Sequence, residues 1–224
     1  MKTPEKDIYA LKRRKMVDEL LIARGISDKR VIATMGRIPR HMFVEPALMN
    51  RVYEDYAAPL GGGQTISKPH TVALMTQMAK LKGSETVLEI GTGSGYQAAV
   101  LSTLVERVYS VERISSLSNK AKKIFNKLHL DNIMCMVGDG TNGSKKYAPF
   151  DVIVVTAGAP EIPVPLAKQL KDGGRMVVPV GNGSEQKLHL VVRKGKRFTV
   201  TKKEDCSFVP LIGEHGWKEK PSRY

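Results

Sequence analysis

Between residues 86 and 180, short and nearly continuous apolar runs alternate with segments of helical periodicity. Thr86-Val-Leu-Glu-Ile90, Arg107-Val-Tyr-Ser-Val111, Ile133-Met-Cys-Met-Val137, Asp151-Val-Ile-Val-Val-Thr156 and Arg175-Met-Val-Val-Pro-Val180 read as strands. Helices are expected between them over 97–105, 115–128 and 164–170. A strand that is apolar on both faces needs cover on both faces, and in a water-soluble chain that means a parallel sheet between two helical layers. Lys187–Arg193 and Arg197–Thr201 instead alternate apolar and polar residues around Lys194-Gly195-Lys196, the pattern of an antiparallel hairpin. The expected fold is α/β, a doubly wound and mostly parallel sheet closed by a C-terminal hairpin.

Upstream of the alternation, Ile8, Leu11, Val17, Leu20 and Leu21 recur at helical spacing, and Gly25 ends the pattern. Ser27 is a candidate cap for a second helix carrying Val31, Ile32 and Met35. Residues 38–60 are irregular, and Thr71–Leu81 reads as a helix with Val72, Leu74, Met75, Met78 and Leu81 inward. No repeat, low-complexity tract or linker interrupts the chain. One domain over 1–224 is expected: an N-terminal helical extension (1–60), a core (61–182), and a C-terminal hairpin with a tail (183–224).

Composition removes several function classes. No run of about 18 apolar residues exists, so no membrane partner is expected. The N-terminus has no apolar stretch of the secretory type, so a cytoplasmic location is expected. Cys135 sits in an apolar run as a small hydrophobe, and the five histidines are scattered, so no metal is expected. The net charge of +14 raises nucleic acid as a partner. The excess is spread along the chain, however, and aromatics make up only 6 %. The basic runs Lys12–Lys15 and Arg193–Arg197 therefore read as solvated surface, and a monomer that does not bind nucleic acid is expected.

Glu89-Ile-Gly91-Thr-Gly93-Ser-Gly95-Tyr-Gln97 joins the first strand to its helix, where open α/β sheets hold ligands. A dinucleotide fingerprint needs a glycine five positions after the first, and here that position is Tyr96. The turn instead resembles the E/D-x-G-x-G-x-G turn of class I methyltransferases, which holds the amino-acid end of S-adenosylmethionine. Two further strand ends add to it. Glu112 stands where such enzymes bind the ribose hydroxyls, a task suited to a carboxylate that accepts two hydrogen bonds. Gly138-Asp139-Gly140 stands where an acid reads the adenine amino group.

The loop Gly61-Gly-Gly-Gln-Thr-Ile-Ser67-Lys-Pro69-His70 narrows the resemblance further. With Phe150–Pro160, Ile162-Pro163, Leu170–Arg175, Val180-Gly181 and Phe208-Val-Pro-Leu211, it is similar to the protein-L-isoaspartate O-methyltransferases over about residues 15–217. The resemblance implies transfer of a methyl group from S-adenosylmethionine to the α-carboxylate of L-isoaspartyl residues in damaged proteins, leaving S-adenosylhomocysteine. It also implies protein or peptide substrates, Ser67 as the active-site serine, and a cofactor site of Gln64, Thr65, Ile66, Ser67, Glu89, Gly91, Gly93, Gly95, Glu112, Asp139 and Gly140. On local sequence alone Ser67 reads equally as a helix N-cap before Pro69, and His70 is undecided. The competing expectation, a tRNA-type nucleic-acid methyltransferase, rests on the charge. Against it stands Ala157-Gly-Ala-Pro160, where the N/D-P-P-Y/F motif of amino-group methylation would fall.

Overall fold

The computed structural model describes residues 8–182 and 185–219. The N-terminal layer opens with α1 (Ala10–Lys15), which runs into a π-helical turn at Met16–Leu21 and a 3-10 turn at Ile22–Arg24. Gly25 stops it with a left-handed φ of 91°. After α2 (Lys29–Arg37) the chain is irregular until the hairpin β1 (Ala58–Gly61) and β2 (Gln64–Ile66), and α3 (Pro69–Met78) follows.

Two expectations for this layer are corrected. Ile8 and Leu11 are 73 % and 78 % exposed, whereas Val17 and Leu21 are buried. Six residues of helix separate Leu11 from Val17, which sets them about 120° apart at roughly 100° per residue, so they cannot share a face. The cap of α2 is Asp28, whose carboxylate accepts from the Arg30 and Val31 amides, and not Ser27. Ser27 instead gives its amide to the Gln77 side chain.

The rest of the chain winds β3 (Thr86–Ile90), α4 (Tyr96–Ser102), β4 (Arg107–Glu112), α5 (Ser115–Lys127), β5 (Ile133–Val137), β6 (Phe150–Val155), α6 (Val164–Ala167), β7 (Leu170–Gly181), β8 (Gln186–Lys194) and β9 (Arg197–Cys206). The strands form one sheet in the order β5-β4-β3-β6-β7-β8-β9. Neighbours from β5 to β7 are parallel, and β7-β8 and β8-β9 are antiparallel. Alternation along β6 shows why the strands are apolar on both faces. Val152 and Val154 pack into a core with α3, α4 and the N-terminal layer, while Ile153 and Val155 pack into a second core with Leu166 and Leu211. Burying each such side chain stabilises the fold by about 1.5–3 kcal/mol.

Strand β9 runs five residues past the expected Thr201, through Lys202-Lys-Glu-Asp-Cys206. Every side chain before the half-buried Cys206 is exposed, so backbone pairing rather than an apolar pattern makes it a strand, and charges guard the open edge. Chain order reverses across β3 and β6, and the ends of these two strands hold the cleft.

Candidate active site

Three glycines follow β3 with φ of 95°, 52° and 89° at Gly91, Gly93 and Gly95, the left-handed region that glycine enters without a steric cost. Their surroundings differ. A Cβ on Gly91 would lie 2.5 Å from the Thr156 hydroxyl, and one on Gly95 would lie 2.8 Å from the Phe125 ring of α5. A Cβ on Gly93 would meet no atom within 4 Å, and Gly93 lines the cleft. Gly93 is therefore the glycine open to a ligand. Gly91 lines the cleft as well, and Gly95 lies behind it.

Glu112 ends β4 and lines the cleft. Its Oε2 accepts from the Gly93 amide at 2.8 Å and its Oε1 from the Ile114 amide at 2.9 Å. Two backbone donors thus fix the carboxylate, and each oxygen keeps a lone pair for a further donor. Glu89 is placed differently: it is fully buried beneath the turn and does not line the cleft. The Ser110 hydroxyl donates to its Oε2, the Thr92 hydroxyl lies 2.5 Å from that of Ser110, and Oε1 has no partner. Burial pushes the Glu89 carboxyl up to about 8, with the Glu112 charge raising it and the Ser110 hydrogen bond opposing. It is mostly protonated at neutral pH.

Asp139 lies just outside the cleft, while Gly140 lines it. The Asp139 carboxylate accepts from the Thr141 amide at 2.9 Å, the Thr141 hydroxyl at 2.7 Å and the Glu214 amide at 2.8 Å. Burial raises this carboxyl, but those hydrogen bonds outweigh it and the net shift is downward. Asp139 thereby fastens the C-terminal segment to the end of β5.

Gln64, Thr65, Ile66 and Ser67 form the wall facing the glycine turn. The left-handed Gly61, Gly62 and Gly63 upstream only make the hairpin turn; no atom lies within 4 Å of a Cβ built on them. The N-cap of α3 is Lys68, with no side-chain capping bond, so Ser67 is not the cap. Among the described residues its hydroxyl makes no hydrogen bond, whereas its carbonyl accepts from Arg40 Nη2 at 2.6 Å. His70 turns away, its Nε2 lying 3.3 Å from the Arg24 carbonyl, and does not line the cleft.

Two parts of the cleft carry little sequence signal. Thr156 and Ala157 follow β6, and the Thr156 hydroxyl donates to the Gly91 carbonyl at 2.6 Å across the switch point. Val209–Ile212 close the remaining side, pinned by Gly158 N–H to Val209 O at 2.8 Å and Leu211 N–H to Gly158 O at 2.9 Å. The position of Thr156 at a strand end by the switch point was available as a signal. Val209–Leu211 were marked only by resemblance.

A parallel sheet with a glycine turn after its central strand, and an acid pinned to that turn from the next strand, defines the class I methyltransferase fold. The family model described as protein-L-isoaspartate(D-aspartate) O-methyltransferase matches residues 11–216. A protein-L-isoaspartate O-methyltransferase of Syntrophus aciditrophicus (strain SB) is 51 % identical over 214 residues, covering 94 % of this chain and 98 % of that protein. One of Desulfotalea psychrophila (strain LSv54 / DSM 12343) is 50 % identical over 212 residues, covering 95 % and 99 %. A solved protein-L-isoaspartate O-methyltransferase superposes with TM-score 0.81 at 32 % identity, over 91 % of this chain and 67 % of that one. A Plasmodium falciparum protein solved in complex with S-adenosyl-L-homocysteine shares the fold, with TM-score 0.76, 24 % identity and coverage of 89 % and 98 %. The chain belongs to the protein-L-isoaspartate O-methyltransferase family.

Proposed function

We propose that this chain moves a methyl group from S-adenosylmethionine to the α-carboxylate of L-isoaspartyl residues, with Ser67 orienting that carboxylate. The observation that carries the reading is a single cleft. It has Glu112 and Gly93 on one wall and Ser67, whose hydroxyl makes no hydrogen bond among the described residues, on the other. The cleft suits the cofactor: Gly93 leaves room at the backbone, and Glu112 keeps acceptor capacity for a diol. S-adenosylmethionine supplies a methyl group on a sulfonium, which leaves as a neutral thioether. The acceptor carboxylate, with an ordinary value near 4, is ionised at neutral pH and needs no general base. Alignment is then the task of the protein and can supply much of the acceleration. A neutral hydroxyl donor holds the nucleophile without quenching its charge as an ammonium would. Gln64, Thr65, Ile66, Gly91 and Gly140 line the cofactor side in this reading, with Glu89, Gly95 and Asp139 supporting them from behind.

The methyl ester leaves the enzyme and cyclises without it: the adjoining backbone amide nitrogen attacks the ester carbonyl and expels methanol, giving a succinimide whose hydrolysis returns some normal aspartate. The reading includes a cytoplasmic monomer acting on damaged proteins; a dimer by light scattering would refute that part. Among the described residues no helix is long and apolar enough to cross a membrane. Family membership does not favour the nucleic-acid methyltransferase. Labelled cofactor offered with an isoaspartyl peptide, its L-aspartyl isomer and tRNA tests the whole reading. Label should enter the first alone, because a site that hydrogen-bonds the displaced backbone rejects the isomer strongly. Equal labelling of both peptides, or labelling of tRNA, would overturn it.

A further inference from the structure

Arg40 is fully buried, at 0 % exposure, although it lies in a segment that reads in the sequence as irregular. Its Nε donates to the Val52 carbonyl at 2.7 Å, and its Nη2 donates to the Ser67 carbonyl at 2.6 Å. Its guanidinium carbon sits 4.6 Å from the centre of the Tyr96 ring. Among the described residues Nη1 has no hydrogen-bond acceptor and no carboxylate forms a salt bridge with the guanidinium. Burial lowers the guanidinium to about 10, which leaves it cationic at neutral pH. A buried cation without a counter-ion carries a desolvation cost that an apolar side chain of similar volume would not. Its three contacts are therefore informative. Val52 belongs to the N-terminal layer, Ser67 to the acceptor wall, and Tyr96 is the first residue of α4 after the glycine turn.

We propose that Arg40 is a positioning residue of the transfer site: by gripping the Ser67 carbonyl while resting on Tyr96, it sets Ser67 at a fixed height over the glycine turn. The proposal rests on the assignment of Ser67 to the acceptor. In-line transfer is sensitive to placement, and a shift of about 1 Å can cost on the order of a hundredfold in rate. A lysine at position 40 would keep the charge but not the planar fork that reaches two carbonyls and stacks on a ring.

The test is a double-mutant cycle of Arg40→Lys, Ser67→Ala and the pair, read as kcat and KM for an isoaspartyl peptide, with calorimetric affinity for S-adenosylhomocysteine. Arg40→Lys should lower kcat about tenfold or more while cofactor-product affinity stays within about threefold. The pair should be no slower than Ser67→Ala alone, to within about twofold, because Arg40 acts through Ser67. Losses that multiply, wild-type kcat in Arg40→Lys, or an equal fall in S-adenosylhomocysteine affinity would each overturn the proposal. Wild-type turnover in Ser67→Ala would instead remove Ser67 from the acceptor site, and the proposal with it. Arg40→Met is the second variant. If neither it nor Arg40→Lys folds, Arg40 is a folding residue and the proposal fails.

Discussion

Among the described residues the Ser67 hydroxyl has no hydrogen-bond partner, and Ser67 is not the cap of α3, so its removal should scarcely disturb the fold. Ser67→Ala is expected to stay within about 0.5 kcal/mol of wild-type stability and to lose turnover. Ser67→Asp should also fold and be inactive, since it sets a negative charge beside a negative acceptor. Methylation rates and melting temperatures of the two variants check this, and a fully active Ser67→Asp protein would remove Ser67 from the acceptor site. At this scale the sequence marks residues that follow strand ends. Glu112 and Gly93 are legible because register and turn chemistry place them. Arg40 is not: it falls in the irregular stretch 38–60 without periodicity or motif, and only tertiary packing buries it. Glu89 is legible as an acid of the turn but not as a protonated one, because its environment is built from Ser110 on the neighbouring strand.

At the level of elements, the glycine turn does two jobs with one residue type. Gly95 has left-handed backbone and sits against Phe125 and Ala121, so it lets α4 approach α5. Gly95→Ala should therefore destabilise by about 1–3 kcal/mol from overpacking alone. Gly93→Ala faces open space and should cost less stability but weaken S-adenosylhomocysteine binding. Urea unfolding and calorimetry on both variants test this; the reverse pattern would mean that the open side of the turn has been misassigned. The central strands are legible because burial on both faces writes a continuous apolar run. The far half of β9 is not, since an edge strand held by backbone pairing needs no apolar pattern. The first helix misleads for another reason: leucine and isoleucine at plausible intervals do not make a stripe unless their angles add up.

The whole molecule feels Glu89 through its proton. Its folded-state value, about 8, lies above the ordinary carboxylate value, so the folded protein keeps a proton that the unfolded chain releases. The contribution is most favourable below the ordinary carboxylate range and is lost as pH rises towards 8. Wild type should therefore lose stability relative to Glu89→Gln between about pH 5 and pH 8. The groups facing it are Ser110, Glu112 and Cys135, and the Cys135 thiol, raised by burial to about 11, stays neutral over that range. Urea unfolding across pH gives the comparison, and parallel curves would mean that Glu89 is ionised in the folded state.

The wall made by Val209–Ile212 is synthesised after every strand of the sheet. A chain truncated at Cys206 would thus keep all seven strands while its cleft lacked one side. A ligand stabilises only the state that binds it, so S-adenosylmethionine is expected to support the sheet only once this segment has docked on Gly158. A chain ending at Cys206 should gain no melting temperature from S-adenosylhomocysteine, whereas the full chain should. An equal gain in both would show that the segment is dispensable for holding the nucleoside, leaving it a role on the acceptor side alone.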